Sequence, residues 1–205
     1  MRNACQKKTD TSFEHRELIA SRRRALRSVG ACILLVLAAA SRPHAQRRFD
    51  EREIKATFIF NFAQFVEWPA ASFADPHAPL AICVLGIDPF DGALDAVIRG
   101  EVVNGHPLIV KRFRRVEDAA TCHVLFVSPS EAPQYARIAE VLRGRAVLTI
   151  GESDGFVASG GVVRFITEKN RVRLRVNLGA ARAAGLTISS QILRVADVVN
   201  QEEVP

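Results

Sequence analysis

The sequence predicts an α/β fold in which a mostly parallel sheet carries helices on both faces and a C-terminal antiparallel hairpin at its edge. Two observations support this class. Short continuous apolar runs alternate with helical patterns between positions 80 and 150, and a hairpin pattern follows Gly160-Gly161. Apolar runs without polar alternation are typical of strands that helices cover on both faces, as in parallel sheets. We therefore expect one layered domain.

The first predicted element is a helix that begins at Glu51 and ends at Trp68-Pro69. Apolar residues recur every three or four positions along it, and the residue before a proline avoids helical angles. The helix is unusually aromatic, so apolar side chains cover much of its circumference. It is either packed in the core or presented to a partner, and such stripes usually belong to the core. The candidate core or partner-contact residues are Phe58, Phe62, Phe65 and Trp68.

Strand and helix patterns alternate after this helix. The apolar run at 80–86 is followed by a helix that begins at Asp88-Pro89, because proline is favoured in the first turn. The hairpin strands flank positions 168–170, and arginines alternate with apolar residues on the second strand, so one of its faces meets water. The full set comprises strands at 80–86, 108–110, 122–127, 146–150, 162–166 and 172–176, and helices at 88–98, 131–142, 179–184 and 189–195.

Two glycine-containing segments are predicted to lie at the carboxyl ends of parallel strands. Small ligands of open α/β sheets bind at this edge, in crevices outside the strand ends. The sequence therefore predicts that a pocket, if the domain has one, lies there. The candidate pocket residues are Gly86, Asp88, Gly151, Ser153 and Asp154.

Positions 151–155 also spell G-x-S-x-G, the pattern of a hydrolase nucleophile elbow with Ser153 as the nucleophile. Such an elbow continues directly into a helix, and its histidine lies later in the chain. In this chain a hairpin follows, and every histidine precedes Ser153. A tight turn after a strand explains the same letters, because glycine accommodates strained backbone angles. We assign no catalytic residue, no metal ligand and no cofactor.

The basic charge of the chain is concentrated in its first 45 residues. The chain has 28 Lys and Arg, 22 Asp and Glu and a net charge of +6, but nine of the basic and three of the acidic residues lie in this segment. Arginines at 22–24 precede an apolar run and then small residues, which is the pattern of an export signal. We expect residues 1–45 to be cleaved after Sec or twin-arginine export and 46–205 to form one periplasmic domain. The neutral balance of that domain makes nucleic acid a poor partner.

Removal of the leader leaves two cysteines, Cys83 and Cys122. An even pair in an exported domain predicts a disulfide, because compartments outside the cytoplasm are oxidising. The alternative is two buried free thiols. A zinc site is disfavoured, since two cysteines without a nearby C-x-x-C or paired histidines do not supply four ligands.

Three stretches of the chain form a specific set when they are taken in order. The first is 54–69, an aromatic helix that ends in Glu-Trp-Pro. The second is 148–156 with Gly160-Gly161, and the third joins 176–178 to 185–196. Together, over about 53–199, they resemble the YfiR family of small periplasmic regulators.

The resemblance implies an α/β domain that binds the periplasmic sensing domain of an inner-membrane signalling protein, typically a diguanylate cyclase, and holds it inactive. Such a protein is a regulator and not an enzyme, and it lowers cyclic-di-GMP and biofilm growth. Cys83 and Cys122 match a pair that is bridged in some members, whereas a second bridge of certain relatives has no counterpart in the expected domain. An outer-membrane lipoprotein and a second copy of the chain are further partners that we consider.

Two other functions are compatible with the sequence. A periplasmic ligand-binding module would serve a sensor histidine kinase or a TonB-dependent receptor, with its pocket at the strand ends. An esterase would use Ser153, a function that the order of the histidines disfavours.

Overall fold

The computed structural model describes residues 50–199, so the predicted leader (1–45) lies outside the described residues. The helices within that range are α1 (Glu51–Phe65), α2 (Ala93–Ile98), α3 (Tyr135–Val141), α4 (Leu178–Ala183) and α5 (Ser190–Leu193). The strands are β1 (Val66–Glu67), β2 (Leu80–Leu85), β3 (Val102–Val103), β4 (His106–Phe113), β5 (Val124–Val127), β6 (Leu148–Gly151), β7 (Val163–Glu168), β8 (Arg171–Asn177), β9 (Thr187–Ile188) and β10 (Ala196–Val199). Short 3-10 helices lie at Ala70–Ser72, Val116–Thr121 and Pro129–Gln134.

Eight of these strands form one mixed sheet in the order β10-β8-β7-β6-β5-β2-β4-β3. The strands from β4 through β2, β5 and β6 to β7 run parallel to their neighbours, whereas β8 is antiparallel to β7. The predicted α/β fold with a mostly parallel sheet and a C-terminal hairpin is confirmed. One strand lies outside the hairpin, because β10 returns parallel to β8 and occupies the edge of the sheet. Residues 196–199 were not predicted to form a strand.

The central strands are apolar throughout because helices cover both faces of the sheet. Ile82 and Val84 of β2 point into the layer that contains α1 and α2, together with α4 and α5. Ala81, Cys83 and Leu85 point into the opposite layer, which contains α3 and the 3-10 helix Val116–Thr121. Side chains alternate along a strand, so a continuous apolar run supplies two cores at once.

Helix α1 ends three residues earlier than Trp68. Val66 leaves the helix in an extended conformation because β1 pairs antiparallel with β9, and this tertiary pairing overrides the local helical pattern. The buried stripe of the helix is also displaced from the one that the aromatic spacing predicts. Its most buried members are Ala56, Ile59, Phe62 and Ala63, whereas Phe58 and Phe65 reach the core from its flanks. Long aromatic side chains reach inward from positions beside the stripe, and so their spacing alone misplaces its centre.

Other differences between prediction and structure have local causes. Helix α2 begins at Ala93 because Asp91 and Gly92 adopt left-handed angles, with φ of 50° and 83°. The segment before α3 is a 3-10 helix that contains Pro133, which cannot donate a main-chain hydrogen bond. The unpredicted hairpin of β3 and β4 turns at Asn104-Gly105, a dipeptide that is itself a signal for this turn. In the described part of the chain, 50–199, the helices are too short or too polar to cross a bilayer.

Candidate functional site

The predicted pocket residues after β2 are occupied by contacts within the fold. Gly86 has a φ of +89°, and a Cβ at this position would lie 2.6 Å from Oε1 of Glu131. The main-chain N–H of Ile87 donates to Oγ of Ser130 at 3.2 Å. One carboxylate oxygen of Asp88 accepts from Nε of Arg112 at 2.7 Å. Both predicted positions therefore help to join the strand end to neighbouring elements.

The predicted pocket residues after β6 surround a buried phenylalanine. Phe156 is 3% exposed, and a Cβ on Gly151 would lie 2.6 Å from Cγ of its ring. Gly161 approaches the same ring still more closely, so the two glycines leave the space that Phe156 fills. The main-chain carbonyl of Ser153 accepts from the N–H of Phe156, and Asp154 forms an ion pair with Arg164. Close packing thus explains the glycines of this stretch.

Gly86 and Asp88 follow β2, whereas Gly151 ends β6 and Ser153 and Asp154 follow it. Three cavities within 50–199 have volumes of about 430, 370 and 180 Å³, and none of these five residues lines them. The assignment of these residues to a pocket stays a prediction.

Ser153 lies at the opposite end of the parallel strands from the described histidines. His106 begins β4 and His123 immediately precedes β5, whereas Ser153 follows the end of β6. His77 lies in the segment before β2, which is again the amino end of the strands. A nucleophile needs its general base within hydrogen-bond reach, and this topology separates the two groups.

We expect the substitution Ser153→Ala to leave the purified protein unchanged. Its main-chain carbonyl makes the contact that orders the turn, so the unfolding free energy should stay within about 0.5 kcal/mol of the parent. Ester hydrolysis measured with short activated esters should be at background level in both proteins. Activity that disappears in Ser153→Ala would instead support the esterase.

The four aromatic residues of the first predicted element divide between the core and the half-buried surface. Phe62 is 1% exposed, and its ring centroid lies 6.5 Å from that of Phe165 on β7. The ring of Phe58 lies 6.1 Å from the same residue but is half-buried. Phe65 and Trp68 are also half-buried and pack against the core. Phe62 is therefore structural, whereas the other three combine packing with partial exposure.

Two of the stretches that carry the family resemblance meet in space. Strand β1, from the Glu-Trp-Pro stretch, pairs with β9, from the last stretch, through Val66 opposite Ile188 and Glu67 opposite Thr187. The N–H of Ser189 extends this ladder by donating to the carbonyl of Phe65 at 2.9 Å. Glu67 and Thr187 are exposed. The ladder therefore presents a surface that neither stretch forms alone.

Trp68 connects this ladder to a group of rings that we call the amino-edge cluster, formed by Trp68, Phe73, His106 and His123. Nε1 of Trp68 donates to the carbonyl of His123 at 3.2 Å. The Phe73 ring stacks on His106 and on His123, with centroids 3.8 and 4.4 Å away and interplanar angles of 13° and 19°. The cluster fixes the segment 70–79 to the amino ends of β4 and β5.

The hydrogen bonds of His123 define its tautomer. Nδ1 accepts from the N–H of Ala81 at 3.1 Å, and Nε2 donates to the carbonyl of Ser72 at 3.1 Å. A ring that accepts at one nitrogen and donates at the other is neutral. His123 is 6% exposed, and burial lowers the pKa of its imidazole below the ordinary value, an effect that nearby His106 and Lys111 reinforce and the bond to Ser72 opposes.

An ionic network joins α1 to β7 and to the turn after β6. Lys55 is buried and pairs with Glu51 and, at 2.9 Å, with Glu152. Arg164 donates to the carbonyl of Glu152 at 3.2 Å. Hydrogen bonding from Lys55 lowers the pKa of the Glu51 carboxyl. The network borders the cavity of about 370 Å³ and links the first helix to the turn after β6.

Positions 111–115 carry four basic residues, and two of them, Arg112 and Arg115, are paired with carboxylates. Arg112 binds both Asp88 and Asp95, and its hydrogen bond lowers the pKa of the Asp95 carboxyl. Arg115 lies 3.5 Å from Glu117. Paired guanidinium groups have little charge left for a phosphate or an anionic lipid.

A cavity of about 430 Å³ lies between α3, α4 and the loop that follows Phe156. Small residues form much of its wall, and Arg143 and Arg145 are exposed beside it. The hydroxyl of Tyr135, another lining residue, is buried and has no hydrogen-bond partner within 50–199. The volume falls in the range of small-molecule sites. Within the same range of residues, His, Cys, Asp and Glu side chains form no group of three that would hold a metal ion.

The predicted disulfide is present. Cys83 in the middle of β2 is joined to Cys122, which immediately precedes β5, across 39 positions of sequence. Both residues are buried, at 0% and 3% exposure, in the layer that contains α3. Because β2 and β5 are neighbours in the sheet, the bond reinforces a pairing that the main-chain ladder also makes.

The predicted elements and motifs do not include the amino-edge cluster. Its two histidines, His106 and His123, lack the spacing of metal ligands. The partners of His123 are Ala81, Ser72 and Phe73, which are distant in sequence and converge on it only through sheet pairing. The position of His123 directly beside Cys122 at the start of a buried strand is the one signal that pointed to a special environment.

Comparisons with known proteins give one informative match. A family model described as YfiR/HmsC-like matches residues 52–197. No curated protein matches the chain. A solved structure of an ABC domain in complex with L-Trp from Streptococcus pneumonia superposes with a TM-score of 0.43 at 11% identity, covering 58% of this chain and 55% of that one. The present chain thus spans about half the length of that protein, and a similarity this low supports no argument about function.

Proposed function

Because the chain belongs to the YfiR/HmsC-like family, we propose that it is a periplasmic regulator that binds the sensing domain of an inner-membrane diguanylate cyclase and represses it. The observation that carries this proposal is the family match, which extends from the start of α1 into β10. The proposal requires binding and no chemical step. Its outcome is a lower cytoplasmic concentration of cyclic-di-GMP and less biofilm.

The disulfide supports a periplasmic location. Disulfides form and persist in oxidising compartments and are rare in the cytosol. Cys83 and Cys122 are bonded within the folded domain, as an exported protein would have them. The predicted leader at 1–45 would provide the route out of the cytoplasm, by Sec or by twin-arginine export.

Repression by binding follows from linkage between two conformations of the cyclase. A protein that binds the inactive conformation more tightly shifts the population toward it by the ratio of its two affinities. A change from about 1:99 to 99:1 requires a preference of roughly 10⁴-fold. A domain held together by a disulfide and by two apolar layers provides the rigid surface that such discrimination favours.

We place the contact surface at the ladder of β1 and β9 beside the amino-edge cluster. Two stretches that carry the family resemblance meet there, and Glu67 and Thr187 are exposed beside half-buried Trp68. Aromatic rings bordered by polar side chains are typical of the central part of protein interfaces. The partner is the periplasmic domain of the cyclase.

Deletion of the gene is expected to raise cellular cyclic-di-GMP and attached growth. Complementation with the parent gene should reverse both effects, whereas the Glu67→Lys variant should complement poorly because it reverses a charge on the proposed surface. Glu140→Lys is the matched control, since it makes the same change at an exposed position of α3, on the other face of the sheet. Quantification of cyclic-di-GMP by mass spectrometry provides the readout.

Pull-down of the tagged protein from solubilised inner membrane identifies the partner directly. We expect a protein that combines a periplasmic domain with a cytoplasmic diguanylate cyclase domain. Unchanged cyclic-di-GMP after deletion, in a strain in which that cyclase is expressed, would contradict the proposal.

A second candidate function is a ligand-binding module that serves a sensor histidine kinase or a TonB-dependent receptor. The cavity of about 430 Å³ favours it, although this cavity lies away from the strand ends where a pocket was predicted. Recovery of a kinase or an outer-membrane receptor in the same pull-down, in place of a cyclase, would favour this function.

A further inference from the structure

His123 holds the amino-edge cluster through both nitrogens of its ring. Its main chain is fixed in the sheet, because its N–H donates to Ala81 at 2.9 Å and its carbonyl accepts from Leu148 at 2.8 Å. Its side chain makes the connection to the segment 70–79, through Ser72 and through the stacked ring of Phe73. His106 is a second attachment of this segment, because its Nδ1 donates to the carbonyl of Ala78 and its ring also stacks on Phe73. His123 is the attachment at Ser72.

Protonation of this ring is incompatible with its surroundings. An imidazolium ion carries a proton on each nitrogen, and so the new N–H of Nδ1 would face the N–H of Ala81 at a separation of 3.1 Å. The ladder holds that main-chain donor in place, so the ring has to move away. Movement of the ring removes the hydrogen bond to Ser72 and the stack on Phe73 together.

The groups that face His123 would not stabilise its charged form. The charged and titratable ones are His106 and Lys111, both on β4 and both repulsive to a cation. The segment before β2 contributes Trp68, Phe73 and the carbonyl of Ser72, of which the last favours the charged form but has a smaller effect on the pKa than burial, which opposes it. His106 differs from His123, because its Nδ1 donates to the carbonyl of Ala78 at 2.7 Å and keeps that bond in either protonation state.

We propose that His123 is an acid-sensitive latch, which holds the Ser72–Phe73 end of the segment 70–79 against the amino end of β5 when neutral and releases that end when protonated, while His106 retains Ala78. Movement of the ring also removes its edge contact with the ring of Trp68, whose centroid lies 6.3 Å away, whereas Nε1 of Trp68 keeps its bond to the main-chain carbonyl of His123. The latch stands independently of any partner, whereas its effect on cyclase binding rests on the proposed function.

The direction of the pH dependence follows from the chemistry of the ring. The closed form disfavours the proton, so the pKa of His123 is lower when the segment is closed than when it is open. The open form therefore binds more protons, and closure weakens as the pH falls below the ordinary imidazole value of 6.5. The periplasm exchanges protons with the medium, and so acidification of the surroundings would reach this ring.

The test combines hydrogen exchange with tryptophan emission in the purified full protein. Trp68 is the only tryptophan of the chain, so its emission reports on this cluster alone. The exchange rates are corrected for the intrinsic pH dependence of amide exchange. As the pH falls from about 8 to about 5, we expect the corrected rate of peptides from 70–79 to rise roughly tenfold, while peptides from β5 stay protected. The emission of Trp68 should change over the same pH range.

Two substitutions make the test specific. His123→Asn keeps an acceptor near Ala81 but does not titrate. Hydrogen exchange of peptides from 70–79 should therefore no longer depend on pH in this variant, after the same correction. His106→Asn keeps a donor near Ala78 and should retain the transition of the parent. Exchange at 70–79 that does not change with pH in the parent, or that changes equally in His123→Asn, would overturn the latch.

An NMR titration of the His123 ring in the parent protein decides the question if His123→Asn does not fold. We expect the ring to take up its proton over the same pH range in which the segment opens. A ring that stays neutral while the segment opens would also overturn the latch. A protein that opens as expected but binds no cyclase at any pH would leave the latch in place and would count against the proposed function.

Discussion

Replacement of Phe156 by alanine is expected to lower the unfolding free energy by about 3–5 kcal/mol, the range for removal of a buried phenylalanine. The ring is 3% exposed and packs edge-on against Tyr135, with centroids 5.0 Å apart. It belongs to the layer that covers one face of the central strands. Chemical denaturation followed by circular dichroism measures the change.

The close approach of Gly161 to this ring allows a sharper experiment. Gly161→Ala alone should destabilise the protein by about 1–3 kcal/mol, because the added methyl group overpacks the core. In the Phe156→Ala background the same substitution should be nearly neutral, because the ring that it would contact is gone. Gly155→Ala is the control: its φ of +80° is unfavourable for alanine, but no atom lies within 4 Å of the added Cβ.

Gly155→Ala should therefore lower the unfolding free energy by about 1–2 kcal/mol both with and without the Phe156 ring, which is the usual penalty for a non-glycine residue with left-handed backbone angles. Equal effects of Gly161→Ala in the presence and absence of the Phe156 ring would show that the two residues are not coupled. That result would contradict the explanation that Gly161 is needed because the ring of Phe156 packs against it.

Removal of the disulfide by Cys83→Ala/Cys122→Ala is expected to lower the unfolding free energy by about 4 kcal/mol. A bond that closes a loop of 39 residues restricts the unfolded chain, and the chain-entropy model gives this magnitude. Both sulfur atoms are buried in the folded domain, so reductant should act only when denaturant is also present. Denaturation curves of the oxidised parent, the reduced parent and the double variant give the comparison.

Mass spectrometry after alkylation tests the premise of that experiment. Protein that has been unfolded without reductant should carry no alkyl group on Cys83 or Cys122, and reduction should add two. Two alkylated thiols before reduction would show that the bond does not form. The reduced parent and the double variant should have similar stabilities, since both lack the same constraint.

The sheet was predictable because strands buried on both faces leave a direct mark in sequence. The run at 80–86 corresponds to β2, and the run at 146–150 overlaps β6, since neither strand has a polar face. Strand β10 was missed for the opposite reason: it is a half-exposed edge strand of four residues in which Asp197 interrupts the apolar run. The predicted buried stripe on α1 was displaced from the observed one. Long aromatic side chains contact the core from positions beside the stripe, so their spacing does not show which side of the helix lies closest to the core.

The candidate site was less predictable than the sheet because its residues act through main-chain groups. His123 binds the N–H of Ala81 and the carbonyl of Ser72, which are the same in every residue and carry no sequence signal. The general preference of ligands for the carboxyl ends of parallel strands predicts a pocket at that edge of the sheet. Asp88 and Asp154 lie there, and both make ion pairs within the fold. The disulfide was predictable, since only two cysteines remain after the leader is excluded and their residue type dictates the bond.

The pairing of β1 with β9 also determines when the Glu-Trp-Pro stretch reaches its final position. These two strands come from opposite ends of the domain, and contacts between distant parts of a chain form late because the intervening loop must first close. During synthesis, which begins at the amino terminus, the residues of the first helix are therefore available well before the partner of β1. Truncation anywhere before Thr187 would leave that stretch without its ladder, however well the central strands had folded.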